Sequence, residues 1–544
     1  MSKTAPQPLS VAQTSQSAVS RVSKPANAPV SRALPIWKSA TQQVWKPALR
    51  PEQRVFPVAQ TSLSALSRVS KPAERPAFHV RPIWKSAVRQ VRKPALLVLA
   101  IASLSGCTMI PKYERPAAPV VASYPGANIT NETRSADIGW REFIADERLR
   151  KLVELALANN RDLRVAVLNV ERSRAQYRIT RSASLPTIDA GGSYTRSGDF
   201  HASSDQWSAS IGTTAYEADL FGRVRSLSRQ ALEKYFSTDE ARRSTQISLV
   251  AEVATQYFVW REAGEQLVLA RRTFKTVQDS HALNRASFEA GAINELDLRT
   301  AEGQVETARI NVLTYERQRA QVENALALLI GQSLPADLPA VRAFGDANLL
   351  TEISPGLPSE LIQRRADILQ AEHTLKAANA NVGAARAAFF PRITITSSVG
   401  TTSDEFSKLF SAGTGVWSFS PQISLPIFTG GQVRADLDSA KIGTRIEVAN
   451  YEKAIQTAFR EVADALVASG SYAQQIGAEA KLAETQQRRF DLASLRYRQG
   501  EDSYLNVLSA QQDLYGAQQG LLQAQYNKLA SQIALYKALG GGWK

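Results

Sequence analysis

Residues 390–428 read FPRITITSSVGTTSDEFSKLFSAGTGVWSFSPQISLPIF, a stretch rich in serine, threonine, glycine and aromatic residues. Apolar and polar residues alternate in both halves of the stretch, as at Ile393 and Ile395. Alternation with a period of two is typical of β-strands, which β-branched and aromatic residues favour. The stretch therefore predicts a β-hairpin with strands over Arg392 to Thr402 and Val416 to Phe428.

A very long helical segment follows this hairpin. Residues Gln432 to Arg498 are rich in alanine, glutamine, serine and arginine, which predicts helix. At 1.5 Å per residue, about 67 helical residues extend roughly 100 Å, several times the diameter of a small domain. The apolar seams are narrow and the polar faces wide, so the wall of a hollow helical barrel fits this segment better than a coiled coil with a dry core.

The same order of elements occurs earlier in the chain. Two strands and a long helix are predicted there, at Thr187 to Arg196, Trp207 to Leu220 and Arg223 to Glu289. A shorter predicted helix precedes each hairpin, at Leu149 to Arg181 and at Ser359 to Ala388. Matching segments are displaced by 205 residues before the strands and by 209 after them. The sequence thus predicts an internal duplication, with a first repeat over residues 136–345 and a second over residues 346–544.

Four strands of about ten residues suit a membrane-spanning β-barrel, but such a barrel needs at least about eight, because an open edge cannot be left in lipid. Strands must therefore be pooled between chains. A dimer would give about eight strands and a narrow lumen, whereas a trimer would give about twelve, so the geometry favours three or more chains. The predicted fold class is an α+β membrane protein with four strands per chain and long helices.

The amino end carries an export signal. An apolar run from Ala95 to Leu104 follows a basic stretch and ends in Leu-Ser-Gly-Cys at residues 104–107. The run is too short to span a bilayer and has the order of a cleaved secretory signal. The tetrapeptide resembles a bacterial lipobox, so Cys107, the only cysteine, is predicted to carry diacylglycerol and an N-acyl chain. No other cofactor and no metal is expected.

Upstream of the signal, VAQTS at residues 11–15 recurs at residues 58–62 within a longer duplicated unit. The unit is rich in serine, proline, lysine and arginine without apolar periodicity, which indicates disorder. Residues 1–106 are predicted to be a duplicated leader plus signal peptide, and residues 107–135 a lipidated linker. The leader holds 16 of the 65 Lys+Arg residues and 2 of the 50 Asp+Glu residues, which leaves 49 and 48 beyond it. The basic excess lies outside the predicted folded region, which argues against nucleic-acid binding.

An enzyme is equally disfavoured. The four histidines are scattered, the only cysteine is the predicted anchor, and neither a phosphate-binding loop nor a serine elbow occurs. A periplasmic structural lipoprotein is disfavoured as well, because four amphipathic strands would have no role in such a protein.

From Cys107 onward the chain resembles the TolC-like outer membrane efflux factors, in their lipoprotein (NodT/OprM) branch. The resemblance rests on six stretches: GCTMIPKYERP (106–116), ADIGWREF (136–143), RRADI (364–368), AARAAFFP (384–391), SLPIF (424–428) and LYKALGGGW (535–543). One departure is Ala366, where the branch usually has proline. Thr108 follows the anchor where aspartate would favour the inner membrane, so the resemblance implies sorting to the outer membrane.

The resemblance implies a homotrimer with a 12-stranded outer membrane β-barrel continuous with a long periplasmic α-helical barrel. It implies a passive channel of a tripartite multidrug efflux pump, partnered by a periplasmic membrane-fusion adaptor, an inner-membrane RND pump and outer membrane lipid. A type I protein secretion duct, with the same fold and other partners, remains the alternative.

Two Gly-containing breaks between long helices are implied to be the periplasmic tips. Gly291 and Gly500 would mark where the adaptor docks, with plain helix C-caps as the alternative. The gate residues implied are Asp297, Tyr497, Leu505, Asn506 and Ser509. A leucine ring can close a pore by dewetting and a carboxylate ring can hold cations, which are the roles expected of Leu505 and Asp297. Asn506 and Ser509 replace aspartates common in the family, leaving Glu501 and Asp502 as nearby acids.

Overall fold

The computed structural model describes residues 108–121, 138–344, 349 and 358–542, with backbone alone for residues 358–360. All of them belong to the compact unit formed by residues 83–544. The predicted leader, the signal and Cys107 lie outside the described residues.

The elements of the first repeat, in order, are α1 (Trp140–Phe143), α2 (Glu147–Asn159), α3 (Arg161–Ser182), β1 (Asp189–Gly198), β2 (Ser203–Glu217), α4 (Arg223–Glu289) and α5 (Glu295–Ile330). Those of the second are α6 (Pro358–Arg364), α7 (Ala366–Ala387), β3 (Arg392–Ser403), a short 3₁₀ turn (Phe406–Lys408), β4 (Gly415–Ser424), α8 (Gln432–Arg498) and α9 (Tyr504–Ala538). Both long helices have the predicted bounds. Among the described residues, none of the helices combines the length and apolar character needed to cross a bilayer.

The four strands form one antiparallel sheet in the order β1-β2-β3-β4, so the two predicted hairpins are joined through β2 and β3. Ile211 lies opposite Val399, and Val399 lies opposite Trp417. β4 ends at Ser424, four residues before the predicted Phe428, and the proline at position 426 cannot donate to a strand ladder. β1 and β4 are the edge strands of the described sheet.

The two faces of the sheet differ in chemistry. One face carries aromatic and β-branched side chains, with Trp417 and Phe419 79 and 61% exposed. The other face carries hydroxyl ladders across neighbouring strands, with Oγ–Oγ distances of 2.7 Å for Ser193 and Ser208 and 2.8 Å for Ser398 and Ser418. This alternation is that of a strand with lipid on one side and water on the other.

Two glycines on the hydroxyl face lie where neighbouring backbone leaves no room for a side chain. A Cβ on Gly212 would lie 2.2 Å from the carbonyl oxygen of Ser397, and one on Gly400 would lie 2.2 Å from that of Ala209. Each glycine lies at a β2–β3 pair on the hydroxyl face, where neighbouring backbone crowds the position. Glycine is common where a barrel wall bends sharply, because it permits this close approach.

Each shorter helix is broken once, which the sequence reading missed. Leu149 to Arg181 was predicted to be continuous, but α2 and α3 meet at Asn160, whose extended backbone (ψ 131°) interrupts the helix. The Asn160 side chain accepts from Leu163 N–H at 2.9 Å and donates to the carbonyl of Leu329 at 2.9 Å. It therefore caps α3 and the end of α5 together.

The second repeat has the same joint with a different residue. Ser359 to Ala388 was predicted as one helix, but α6 and α7 meet at Arg365, with ψ 125°. Its Nη1 donates to the carbonyl of Ala538 at 2.9 Å, while Nη2 pairs with Asp367 at 2.6 Å and Glu461 at 2.8 Å. The start of α7 at Ala366 is thus well formed without the family's proline. Each joint fastens a short helix to the far end of the long hairpin in its own repeat.

The largest apolar core joins the start of the first repeat to the end of the second. Trp140, Phe143 and Leu149 lie in it, with Tyr257 of α4 and Tyr536 of α9. Phe143 stacks on Tyr536 with ring centroids 4.0 Å apart, and the Tyr536 hydroxyl donates to the carbonyl of Ile138 at 2.7 Å. The core therefore holds both repeats together midway along the helices.

We predict that Gly212→Ala destabilises the sheet, because the new Cβ has no space between β2 and β3. Overpacking of this kind costs about 1–3 kcal/mol. Thermal unfolding followed by circular dichroism should show a lower midpoint than wild type. Gly191→Ala in β1 is the matched control, since a Cβ at that position would meet nothing within 4 Å. Equal midpoints for the two variants would contradict the close approach.

Candidate functional site: the helix tips

Both long hairpins reverse direction through a left-handed glycine. Gly291 follows α4 with φ +74°, and Gly500 follows α8 with φ +77°. In each turn the amide one residue beyond the glycine donates back to the helix, from Ala292 to Ser287 at 2.8 Å and from Glu501 to Arg496 at 2.9 Å. Glycine suits these positions because other residues strain at positive φ. Both glycines are therefore helix-terminating residues, and their role in adaptor docking stays a prediction.

The two tips are brought together by a small aromatic cluster. Ala301 of α5 is fully buried against Tyr504 and Val507 of α9, with Phe490 and Tyr497 of α8 packed around them. The ring centroids of Tyr497 and Tyr504 are 5.5 Å apart. The hairpins of the two repeats thus contact each other at their ends, as a gate formed by both would require.

A buried amide ties the cluster to α4. Asn284 is fully buried, and its Oδ1 accepts a short hydrogen bond from the Tyr497 hydroxyl. Burial, and after it the negative charge of Asp297, raises the pKa of Tyr497. The hydroxyl therefore stays protonated near neutral pH and remains a donor to Asn284.

Asp297 lies in the first turn of α5 and is half-buried. Its backbone N–H is capped by Asn294 Oδ1 at 3.0 Å, so the residue occupies a favourable position for an acid at a helix start. Its carboxylate lies near enough to Tyr497 to influence that hydroxyl electrostatically. Asp297 is therefore both part of a capped helix start and close to the other tip. Its cation-holding role stays a prediction.

Leu505, another of the predicted gate residues, is 67% exposed. It lies on the first turn of α9, one residue beyond the buried Tyr504, and therefore projects away from the aromatic cluster. An exposed leucine at a helix tip has an apolar side chain without a partner in its own chain, which is what a ring of several copies would supply.

Asn506 and Ser509 are engaged by charged neighbours. Asn506 Nδ2 donates to Asp502, which also pairs with Arg496 at 3.4 Å. The hydrogen bond from Asn506, followed by that from the Ser503 amide, lowers the pKa of Asp502. Ser509 Oγ accepts from Arg489 at 3.4 Å. Asn506 therefore neighbours the Asp502 carboxylate without adding a second negative charge, whereas Ser509 is a neutral acceptor beside a guanidinium.

Sequence reasoning missed Asn284 and Tyr504. Tyr504 could have been noticed, because tyrosines flank the second glycine at positions 497 and 504 while the first tip has Phe288 and Glu295 in the corresponding places. Asn284 gives no such signal, since a single polar residue on a long polar helix looks like a solvated one. A groove of about 510 Å³ opens beside this cluster, lined in part by Leu283, Phe490 and Val507.

We predict that Tyr497→Phe loosens the tip, because it leaves the buried Asn284 oxygen without its donor. A buried group left unsatisfied costs about 1–3 kcal/mol, which corresponds to roughly fivefold to 160-fold faster local opening. Amide hydrogen exchange at the end of α8 and the start of α9 measures this opening. Tyr472→Phe, on the same helix but outside the cluster, is the control.

Replacing both partners, as in Tyr497→Phe with Asn284→Leu, should recover part of the protection, since neither group of this bond is then left without its partner. Exchange as slow in Tyr497→Phe as in the control would show that the bond does not hold the tip.

Comparison with known proteins agrees with this architecture. The family model described as "Outer membrane efflux protein" matches residues 152–332 and 357–541, one range within each predicted repeat. The chain is 48% identical over 464 residues to the probable efflux pump outer membrane protein TtgC of Pseudomonas putida, covering 82% of this chain and 96% of TtgC. It is 42% identical over 455 residues to the outer membrane protein OprJ of Pseudomonas aeruginosa, covering 82% and 95%.

Among solved structures, the open state of the MtrE outer membrane channel of Neisseria gonorrhoeae matches with a TM-score of 0.76 and 42% identity, covering 80% of this chain and 99% of MtrE. The α+β fold class and the outer membrane location predicted from the sequence are confirmed by these likenesses. The chain belongs to the outer membrane efflux protein family.

Proposed function

We propose that three copies of this chain form a passive, lipid-anchored exit duct of a tripartite efflux pump. The observation that supports this most directly is that the sheet and the helices are open at the same two edges. Closing both layers at once requires further copies of the same chain.

The sheet edges come first. β1 and β4 are exposed along their whole lengths, and each has a partner on only one side within the described sheet. Unpaired N–H and C=O groups cost several kcal/mol each in hydrocarbon, so membrane strands close into barrels. Pairing β4 of one copy with β1 of the next satisfies every edge.

The helices repeat the order of the strands. α3 packs on α4, α4 on α7 and α7 on α8, which leaves α3 and α8 as the outer members of the row. α3 leads into β1, and α8 follows β4, so helix edges and strand edges lie on matching sides. Closing one layer therefore closes the other.

Both outer helices expose apolar side chains. Val165, Leu168 and Ile179 of α3 are 55, 53 and 63% exposed, and Ile442 and Ile446 of α8 are 49 and 55% exposed. Their spacing places each set on one helix face. Apolar stripes on both edges are complementary to each other across a rotational contact between copies.

Three copies suit the dimensions. Four strands per chain give eight in a dimer, which leaves room only for side chains or one small ligand, and twelve in a trimer, which leaves a wider lumen. The hydroxyl face would line that lumen and the aromatic face would contact lipid. The wall then offers a path without a catalytic site, and energy for transport would come from an inner-membrane RND pump reached through a periplasmic membrane-fusion adaptor.

We propose the tips as the resting gate and the adaptor contact. Leu505 in three copies would form an apolar ring that closes the pore by dewetting, and Asp297 would place a carboxylate beside it. The Tyr497–Asn284 bond would hold the two hairpins of one chain in register. Acylation of Cys107 would tether the duct to the inner surface of the outer membrane, with two or more acyl chains giving stable anchoring.

The edge pairing predicts that chains can be linked into a covalent ring. Because Cys107 is the only cysteine, Cys107→Ser leaves introduced cysteines as the sole thiols. Ser193→Cys on β1, combined in turn with Ser418→Cys, Ser420→Cys or Gln422→Cys on β4, should give a disulfide-linked trimer at the correct register on non-reducing gels. Chains with one introduced cysteine are the controls and should remain unlinked. A ladder ending at dimers for every combination would exclude the trimer.

We predict that Leu505→Ser raises the resting conductance in planar bilayers several-fold, because a hydroxyl ring stays wetted. Leu328→Ser is the control, since Leu328 is 80% exposed but lies at the opposite end of α5. In a strain lacking the chain, wild type should restore ethidium export and Leu505→Ser should retain it. Unchanged conductance would remove Leu505 from the gate, whereas wild type that fails to restore export would contradict the efflux duct.

A further inference from the structure

The described segment nearest the amino end, residues 108–116, lies as an extended strap along α7. The carbonyl of Met109 accepts from Arg386 at 3.4 Å, and that of Pro111 accepts from Asn379 Nδ2 at 2.8 Å. Farther along the strap, Tyr113 and Arg115 reach Glu372. The strap therefore runs antiparallel to α7, starting at the helix end that leads into the sheet.

The strap carries little slack. Six residues separate Met109 from Arg115, which span about 20 Å when fully extended at roughly 3.3–3.6 Å each. Fourteen residues of α7 separate Arg386 from Glu372, which span about 21 Å at 1.5 Å each. The prolines at 111 and 116 favour an extended backbone. The two lengths match, so the position of Arg115 determines where the strap begins.

Glu372 holds that position. It is 2% exposed, and its Oε1 and Oε2 accept from Arg115 at 3.2 and 2.6 Å. Lys376 pairs with it at 2.9 Å and Tyr113 donates to it at 3.3 Å. Burial alone would raise the pKa of Glu372, but hydrogen bonds from Lys376 and Arg115 outweigh burial and lower it. The carboxylate is therefore ionised and bound on both oxygens, the strongest kind of side-chain hydrogen bonding.

The other end of the strap is fitted closely. A Cβ on Gly383 would lie 2.6 Å from Ile110 Cγ1 and 2.8 Å from its backbone nitrogen. Tyr113 also packs against the buried cluster around Leu375 and the fully buried Tyr451. Contacts at both ends leave the strap one position on α7.

We infer that residues 109–115 form a fixed-length spacer, latched by Glu372, that delivers the acylated amino end at the level where the strands begin. This rests on the proposed acylation of Cys107. A slack linker would let the lipid anchor and the barrel sit at unrelated heights, whereas a latched strap sets the distance between them. Glu372 and Arg115 are thus positioning residues for membrane assembly.

The latch itself is tested by trypsin. Cleavage after Lys112 requires the strap to leave α7, while Arg115 is followed by proline and resists cleavage. Glu372→Gln should speed cleavage after Lys112 about tenfold, as expected for losing a charge-assisted bidentate bond. Arg115→Gln, which alters only the strap, should give the same increase and guards against misfolding of the body. Glu154→Gln, which breaks the exposed pair with Arg141, is the control. Unchanged cleavage in both latch variants would overturn the latch.

The positioning role is tested by comparing the effect of the latch variants in chains with and without the acylated cysteine. In the acylated chain, Glu372→Gln and Arg115→Gln should lower the yield of heat-resistant oligomer in the outer membrane several-fold. In a Cys107→Ser background the same substitutions should change nothing further. Equal losses in both backgrounds would show a merely structural contact and overturn the spacer.

Fatty-acid labelling of Cys107 separates this inference from the proposed function. Absence of label would refute the anchor and with it the positioning role, while the trypsin rates would still decide the latch. If Cys107 is labelled but the latch variants lose the same amount of oligomer with and without the cysteine, the spacer is refuted and the anchored duct stands.

Discussion

Backbone hydrogen bonding at the two edges of the sheet is the constraint on which the rest of this chain depends. A four-stranded sheet with a lipid-facing side cannot leave β1 and β4 unpaired, because each exposed peptide group loses its water partners in hydrocarbon. The helices share that constraint, since α3 and α8 continue from the same two edges. One chain is therefore a segment of a larger closed wall. The apolar residues that it exposes on its edge helices are the surfaces that would be buried against other copies.

The internal duplication gives each chain two similar sets of strands and helices. The two repeats differ at a few residues, and those differences give the joints and tips their particular contacts. The joint that caps a long hairpin uses a neutral Asn160 in one repeat and an ion-paired Arg365 in the other, although both bind the last carbonyls of the hairpin. The tips diverge further, because Tyr497 takes the place of Phe288 and gains a hydrogen bond to Asn284. A strictly repeated tip would offer no reason for the two hairpins to recognise each other. Pairing unlike tips ties the repeats together at the end farthest from the sheet.

Much of the fold followed from periodicity and length. The long helices kept their predicted bounds because both stretches are rich in helix-forming residues and contain no proline, and the hairpins were visible as period-two alternation. The breaks at Asn160 and Arg365 were missed, since both residues occur within helices elsewhere and their partners, Leu329 and Ala538, lie far along the chain. The candidate site divides in the same way. Gly291 and Gly500 were detectable from local chemistry, whereas the burial of Asn284 depends on three other helices.

The hydroxyl ladders on one face of the sheet have a consequence for the passage of solutes through the duct. Between its ends this face presents serine, threonine and glutamine side chains, such as Ser208, Ser398 and Gln422, that carry no charge. Neutral hydroxyls can donate or accept, so they solvate cationic, anionic and uncharged solutes about equally and trap none of them. Dwell time over this part of the wall should then be governed by molecular size. An unselective wall of this kind suits an exit channel whose substrates are selected by another component of the pump.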